Sequence, residues 1–203
     1  MQVNVYARVV DGAIAEYPVH EIHIKNRAHP KEWYTPVVFL KQPTYDQRCE
    51  QLTEVLHIAG TSVVSQTVVK NLSIDTILDK LFYPNGSKFD PLNPGQQIEP
   101  ANITIGDIEP DLLQKVISLV SEEVGQTLND FVKTRNYDDV KSCATYVTST
   151  NIQFKTEAER VILLRDQTYS ALYVYIDQVV TGQVPVPKSF DEIKALLPEL
   201  TWN

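Results

Sequence analysis

The chain has 203 residues and a formal net charge of −8, with 43% apolar and 22% charged residues. That length holds one sizeable domain or two small ones, and that composition excludes a chain disordered throughout. An acidic surface repels phosphate, and the densest basic stretch, HIKNRAHPK, stands alone, so the sequence argues against wrapping nucleic acid.

No apolar run approaches the roughly 20 residues that span a bilayer. The start, MQVNVYARVV, alternates polar and apolar residues and lacks the continuous apolar core of a signal peptide. The expectation is a chain made in the cytoplasm, with no membrane insertion. Cys49 and Cys143 are the only thiols. Their separation fits reduced, buried side chains, with a single disulfide as the alternative.

The first 72 residues read as β. Val3, Val5, Ala7 and Val9 alternate and share one strand face. Asp11-Gly12 signals a hairpin, with Ala13 to Val19 as the returning strand. HEIHIK alternates again, with Ile22 and Ile24 on one face. TPVVFLKQP is a short β run closed by Pro43. Residues 48–70 carry two patterns: Leu52, Val55, Leu56 and Ala59 have helical spacing, whereas Val63, Val64, Thr67, Val68 and Val69 are β-branched. Two strands joined at AGTS account for both halves.

Ser73 is a candidate N-cap for a helix whose face is Ile74, Ile77, Leu78 and Leu81, ended by Pro84 and Gly86. Residues 84–110 contain Pro84, Pro91, Pro94, Pro100 and Pro110 and read as a linker, because proline lacks the N–H that helices and central strands need. From Asp111 a long helix follows, with Leu112, Leu113, Val116, Ile117, Leu119, Val120, Val124, Leu128, Phe131 and Val132 on a broad apolar face and Gly125 as its weak spot. Asn136 is the expected cap of a second helix, with Asp138 and Asp139 in its first turn complementing the dipole. Thr156 and Glu159 read as a capping box for a third helix running to about Thr181, stopped by Gly182. Ser189 and Glu192 form a second box for a short helix through Leu197.

The predicted fold is α+β. A β-rich N-terminal lobe of antiparallel hairpins with a closing helix spans 1–83, a proline-rich linker spans 84–110, and an α-helical module of three to four helices spans 111–203.

Candidate chemistry is sparse. His20 and His23 would diverge on a strand, and zinc needs three or four converging ligands, so no metal site is assigned. Cys143 would need a histidine beside it to act as a nucleophile. The sequence holds no histidine after His57. Cys143 sits beside the stripe Tyr137, Val140, Ala144 and Val147 and reads as core. Adjacent Asp138 and Asp139 point about 100° apart on a helix and do not share a proton. There is no Gly-rich phosphate loop and no G-x-S-x-G elbow. Tyr169, Tyr173 and Ile176, with Leu172 and Tyr175 adjacent, read as core or interface. No catalytic, cofactor-binding or metal-binding residue is assigned and no cofactor is expected. A small hydrolase pairing His57 or His29 with Cys143 or a carboxylate remains a third reading.

The last 75 to 90 residues carry an ordered series of motifs. Arg135, Tyr137 and Asp138 give R-x-YD, followed by Cys143, Ala144 and Tyr146. Phe154, Glu157 and Ala158 give F-x-x-EA, and Arg165 and Asp166 give RD. Gly182, Pro185 and Pro187 form G-x-x-P-x-P, and Leu197, Pro198 and Trp202 form LP-x-x-x-W. This series resembles a C-terminal helical module of tailed-bacteriophage tail proteins, and ARVVDGAIAEYPV resembles, more loosely, β segments that accompany it. The resemblance implies a non-enzymatic structural or adaptor component of the tail, at a fibre or between baseplate and fibre, located in the virion. Its implied partners are other phage tail proteins, or further copies of itself. The alternative is a tail-fibre assembly chaperone absent from the mature virion.

Overall fold

The computed structural model of the chain describes residues 5–24, 34–93 and 95–202, without the Ile22 side chain. The fold is α+β, and it divides into two compact units, Met1–Asn71 and Leu72–Asn203.

The first unit is a five-stranded sheet in the order β2-β1-β3-β5-β4, built from β1 (Val5–Val10), β2 (Ala13–His20), β3 (Tyr34–Phe39), β4 (Glu50–Ala59) and β5 (Ser62–Asn71). The β1–β2 hairpin turns at Asp11 and Gly12, with φ of 51° and 75°. Both turn residues at positive φ make the type I′ geometry that suits strand twist, which is why Asp-Gly marked it. The β4–β5 hairpin turns at Gly60, φ 60°, and pairs all ten positions from Glu50↔Asn71 to Ala59↔Ser62. The helical spacing in Leu52 to Ala59 is therefore overridden by its β-branched partner strand. β3 pairs parallel with β5, whereas the other neighbours are antiparallel.

One face buries Ala7, Val63 and Ser65. On it, Tyr17 of β2 donates to Glu54 of β4 at 2.6 Å, and the Ser65 hydroxyl also donates to Glu54. β2 and β4 are the outermost strands, so this bond records a curl that brings the two sheet edges together. Burial, followed by the Glu54 hydrogen bond and charge, pushes the Tyr17 hydroxyl up to about 12. A second cluster joins Val19, Ile24 and Tyr34, with Tyr6 packed against it.

HEIHIK does not continue as a strand. Glu21–Ile24 forms a single helical turn, α1, directly after β2. Turning the chain buries Ile24 against Val19 and Tyr34, which straight extension would not do. It also brings His20 and His23 edge to face, with ring centroids 6.3 Å apart, instead of sending them to opposite sides. Val3, His29 and most of the basic stretch lie outside the described residues.

The second unit starts earlier than the sequence suggested. The helix expected to close the N-terminal lobe, α2 (Ile74–Phe82), belongs to the helical unit. Ser73 caps it, accepting from Thr76 N, and its buried face of Ile74, Ile77, Leu78 and Phe82 turns inward. Residues 84–110 are also part of this unit rather than a linker between two. Ala101 N donates to Phe82 O at 2.9 Å, Lys88 pairs with Asp79 at 2.7 Å, and Phe89 bridges Gln97. Prolines exclude regular structure here, but the chain between them finds turns and side-chain partners instead.

α3 (Pro110–Lys133) starts with proline at N1, where no N–H is needed, and buries Leu112, Leu119, Val120, Val124, Leu128 and Val132. α5 (Ile152–Val180) packs on it and buries Ala158, Val161, Leu164, Thr168 and Leu172. Two caps differ from expectation. α4 (Val140–Ala144) is capped by Asp139, which accepts from Ser142 N, and not by Asn136. Asn136 has φ 64° in the turn after α3, a left-handed position that asparagine tolerates. α5 starts at an Asn151 cap, and Thr156 lies inside the helix with its hydroxyl on Ile152 O. The stop at Gly182, φ 70°, stands where expected. α6 (Phe190–Lys194) is capped by Ser189, and the Glu192 carboxylate accepts from Lys188 N.

Candidate functional site

The motif residues of the C-terminal module come from the end of α3, the turn before α4, the start of α5 and the last residues of the chain. Glu157 is their centre. Its carboxylate accepts the Tyr137 hydroxyl at 2.7 Å, the Arg135 guanidinium at 3.3 Å and the Gln153 amide at 3.1 Å. Its side chain is only 12% exposed, so these donors replace water around a charge. Burial, followed by the Glu157 hydrogen bond and charge, raises the Tyr137 hydroxyl well above the ordinary tyrosine range.

Aromatic rings extend the cluster. Tyr146 meets Tyr137 edge to face at 5.6 Å and Phe154 at 5.5 Å. On the Arg135 side, Trp202 stacks on Phe131 at 4.4 Å, and the Arg135 guanidinium lies 5.5 Å from the indole. Trp202 Nε1 donates to Thr134 Oγ1 at 3.0 Å, across 68 residues of sequence. Arg160 donates to the Thr201 carbonyl at 2.8 Å and to its hydroxyl at 3.0 Å, fixing the chain just before Trp202.

Cys143 lies under this cluster, fully buried with Leu128, Val132, Tyr137, Val140 and Val161. Burial, with the Glu157 charge adding to it, pushes its thiol up to about 11. A thiolate is disfavoured there, so the group packs as a small apolar side chain. Cys49 and Cys143 are both buried and do not form a disulfide with each other.

Arg135, Tyr137, Phe154, Glu157 and Trp202 are therefore brought together. The others are not. Asp138 is exposed beside the Asp139 cap. Arg165 and Asp166 pair with each other at 2.7 Å on the α5 surface. Pro187 lines an apolar cavity with Ile108, Val120, Leu172 and Ile193. Sequence reasoning missed Arg160, Thr134 and Gln153 as partners. Gln153, Glu157 and Arg160 follow spacings of four and three on α5, which place them along one helix face. That spacing was the available signal.

Gly125 also gains a reason. A Cβ built on it would lie 2.9 Å from the Tyr169 hydroxyl, so the weak spot in α3 is where α5 approaches.

His57 is exposed on β4, and His29 lies outside the described residues. Among the described residues, no group of three or more His, Cys, Asp or Glu side chains is placed to hold a metal. No helix among them is long and apolar enough to cross a membrane. Comparison with protein-family models, with curated proteins and with solved structures gave no match.

Proposed function

We propose that this chain is a non-enzymatic structural or adaptor component of a bacteriophage tail, at a fibre or between baseplate and fibre, acting by protein–protein binding. The observation that carries the reading is the convergence on Glu157. Five of the motif residues, Arg135, Tyr137, Phe154, Glu157 and Trp202, meet in one cluster, and Arg135, Tyr137 and Glu157 engage their polar groups there. A motif that spends its polar groups internally preserves a shape, and shape is what a docking module supplies.

The first unit supports the same role. Val38, Phe39 and Leu40, at the end of a central strand, are 48%, 55% and 47% exposed. Consecutive strand residues face opposite sides, so both sheet faces are uncovered there. Exposed apolar surface of this kind marks interaction sites on folded proteins. On this reading the partners are other tail proteins, with neither nucleic acid nor a cofactor involved.

Immunogold labelling of purified particles tests the proposal. Label on the tail is the expected result. Unlabelled particles from cells that hold the chain in abundance would overturn it and fit a fibre-assembly chaperone.

A further inference from the structure

The outward side of α5 carries a series that reads the same in both directions. Leu163, at its centre, is 47% exposed. Four residues to either side stand Glu159 and Gln167, both able to hydrogen-bond. Seven residues out are the hydroxyls of Thr156 and Ser170. Eleven residues out are the aliphatics Ile152 and Val174, 82% and 59% exposed. All seven positions are exposed. At about 100° per residue they lie within about 40° of one line along the helix, and Val161, Thr168 and Leu172 of the buried face lie on the opposite side.

A helix buried on one face ordinarily turns polar residues to the other. Here the outer face puts aliphatics at its centre and at both ends, and the Thr156 hydroxyl turns back onto Ile152 O. The steps of four, three and four are those of a coiled-coil seam. The symmetry of the series says what fits it. A two-fold axis between antiparallel helices sets each residue before Leu163 against the one equally far after it, so the stripe meets its own reverse. Leu163 then faces Leu163, Glu159 faces Gln167, Thr156 faces Ser170, and Ile152 faces Val174.

Charge selects the direction. In the antiparallel pair the Gln167 amide donates to the Glu159 carboxylate, whereas a parallel pair would set Glu159 against Glu159, like charge on like. The acids at the rim bring their own cations, Lys155 at 3.9 Å from Glu159 and Arg165 at 2.7 Å from Asp166.

We propose that the outer face of α5 is a self-association surface, on which a second copy of this chain docks antiparallel about a two-fold axis at Leu163. The pairing does not rest on the tail role. The stripe with as many flanking residues gives about 14 residues per protomer, and at about 30–40 Å² each they bury about 1,000 Å² across the pair. That is the lower bound for a specific interface, so the dimer forms and dissociates with concentration.

Single-cysteine substitutions in the full chain test the register under mild oxidation, with the parent as control because Cys49 and Cys143 are buried. Leu163→Cys is expected to give a disulfide-linked dimer. Ile152→Cys and Val174→Cys should each stay monomeric alone, because their copies lie about 33 Å apart along the pair, far beyond the roughly 7 Å between Cα atoms that a disulfide spans. Mixed together, the two should cross-link. Sedimentation of the parent should show a dimer fraction that grows between about 5 and 200 µM. Leu163→Lys should weaken the dimer about tenfold or more with no loss in thermal midpoint, because the position is exposed in the single chain. The proposal is overturned if the parent stays monomeric at about 200 µM, which would leave the stripe to a different protein. It is also overturned if Ile152→Cys cross-links to itself, if Leu163→Cys and the mixture do not cross-link, or if Leu163→Lys dimerises as the parent does.

Discussion

Glu157, near the start of α5, accepts the Tyr137 hydroxyl at 2.7 Å and ties α5 to the turn that follows α3. Arg135 and Gln153 donate to the same mostly buried carboxylate. Tyr137→Phe removes one donor and little volume. It should cost about 1–2 kcal/mol in urea unfolding of the helical unit. Tyr137→Ala also opens a cavity beside Val140 and Cys143 and should cost about 3–5 kcal/mol. Equal costs for the two variants would show that the hydroxyl contributes everything and the ring nothing.

Cys143 predicts an alkaline limit. Its thiol is raised from 9.0 to about 11 in the folded chain. The unfolded chain therefore loses this proton first. The contribution is fully present below about pH 9 and is lost as pH rises towards about 11. Cys143→Ala should flatten the fall in stability across that window, measured by denaturant titration at several pH values. In the native parent chain at pH 8, a thiol reagent should leave Cys143 unmodified until the chain unfolds.

Gly125 and Tyr169 form a pair whose effects should not add. Alanine favours a helix interior over glycine by about 1 kcal/mol. Gly125→Ala alone should give no gain, because the new Cβ meets the Tyr169 hydroxyl at 2.9 Å. In a Tyr169→Phe background the obstacle is gone, and the same change should stabilise by about 0.5–1 kcal/mol. Additive changes in thermal midpoint would rule out the close approach.

Trp202 holds the end of the chain through Phe131, Arg135 and Thr134. Trp202→Ala should cost about 2 kcal/mol and raise amide exchange at Leu200 and Thr201. Trp202→Phe keeps a stacking ring but loses the Thr134 bond, and should recover about half of that loss.

Local rules made some of this architecture readable and hid the rest. Asp11-Gly12 was legible because a type I′ turn demands positive φ at both positions. α3 was legible from its apolar stripe, and Gly182 from the left-handed stop it permits. The start of α5 was not, because Ile152 is 82% exposed and gives the apolar period no foothold. T-x-x-E is a box only where the helix begins, and here the helix had begun at Asn151. α2 was assigned to the wrong unit because an apolar face states that it must be buried, not against which partner. The same limit applies to the site. The motif named Arg135, Tyr137, Glu157 and Trp202, but their meeting depends on how α3 and α5 pack, a long-range fact that spacing along the chain does not contain.

The tail role proposed above makes the chain a fixed part of the particle. Quantitative mass spectrometry of purified particles, with copy number referenced to the major tail protein, tests it most directly. A constant copy number per particle that survives stringent purification is the expected result. Absence from particles, in cells where the chain is abundant, would contradict it.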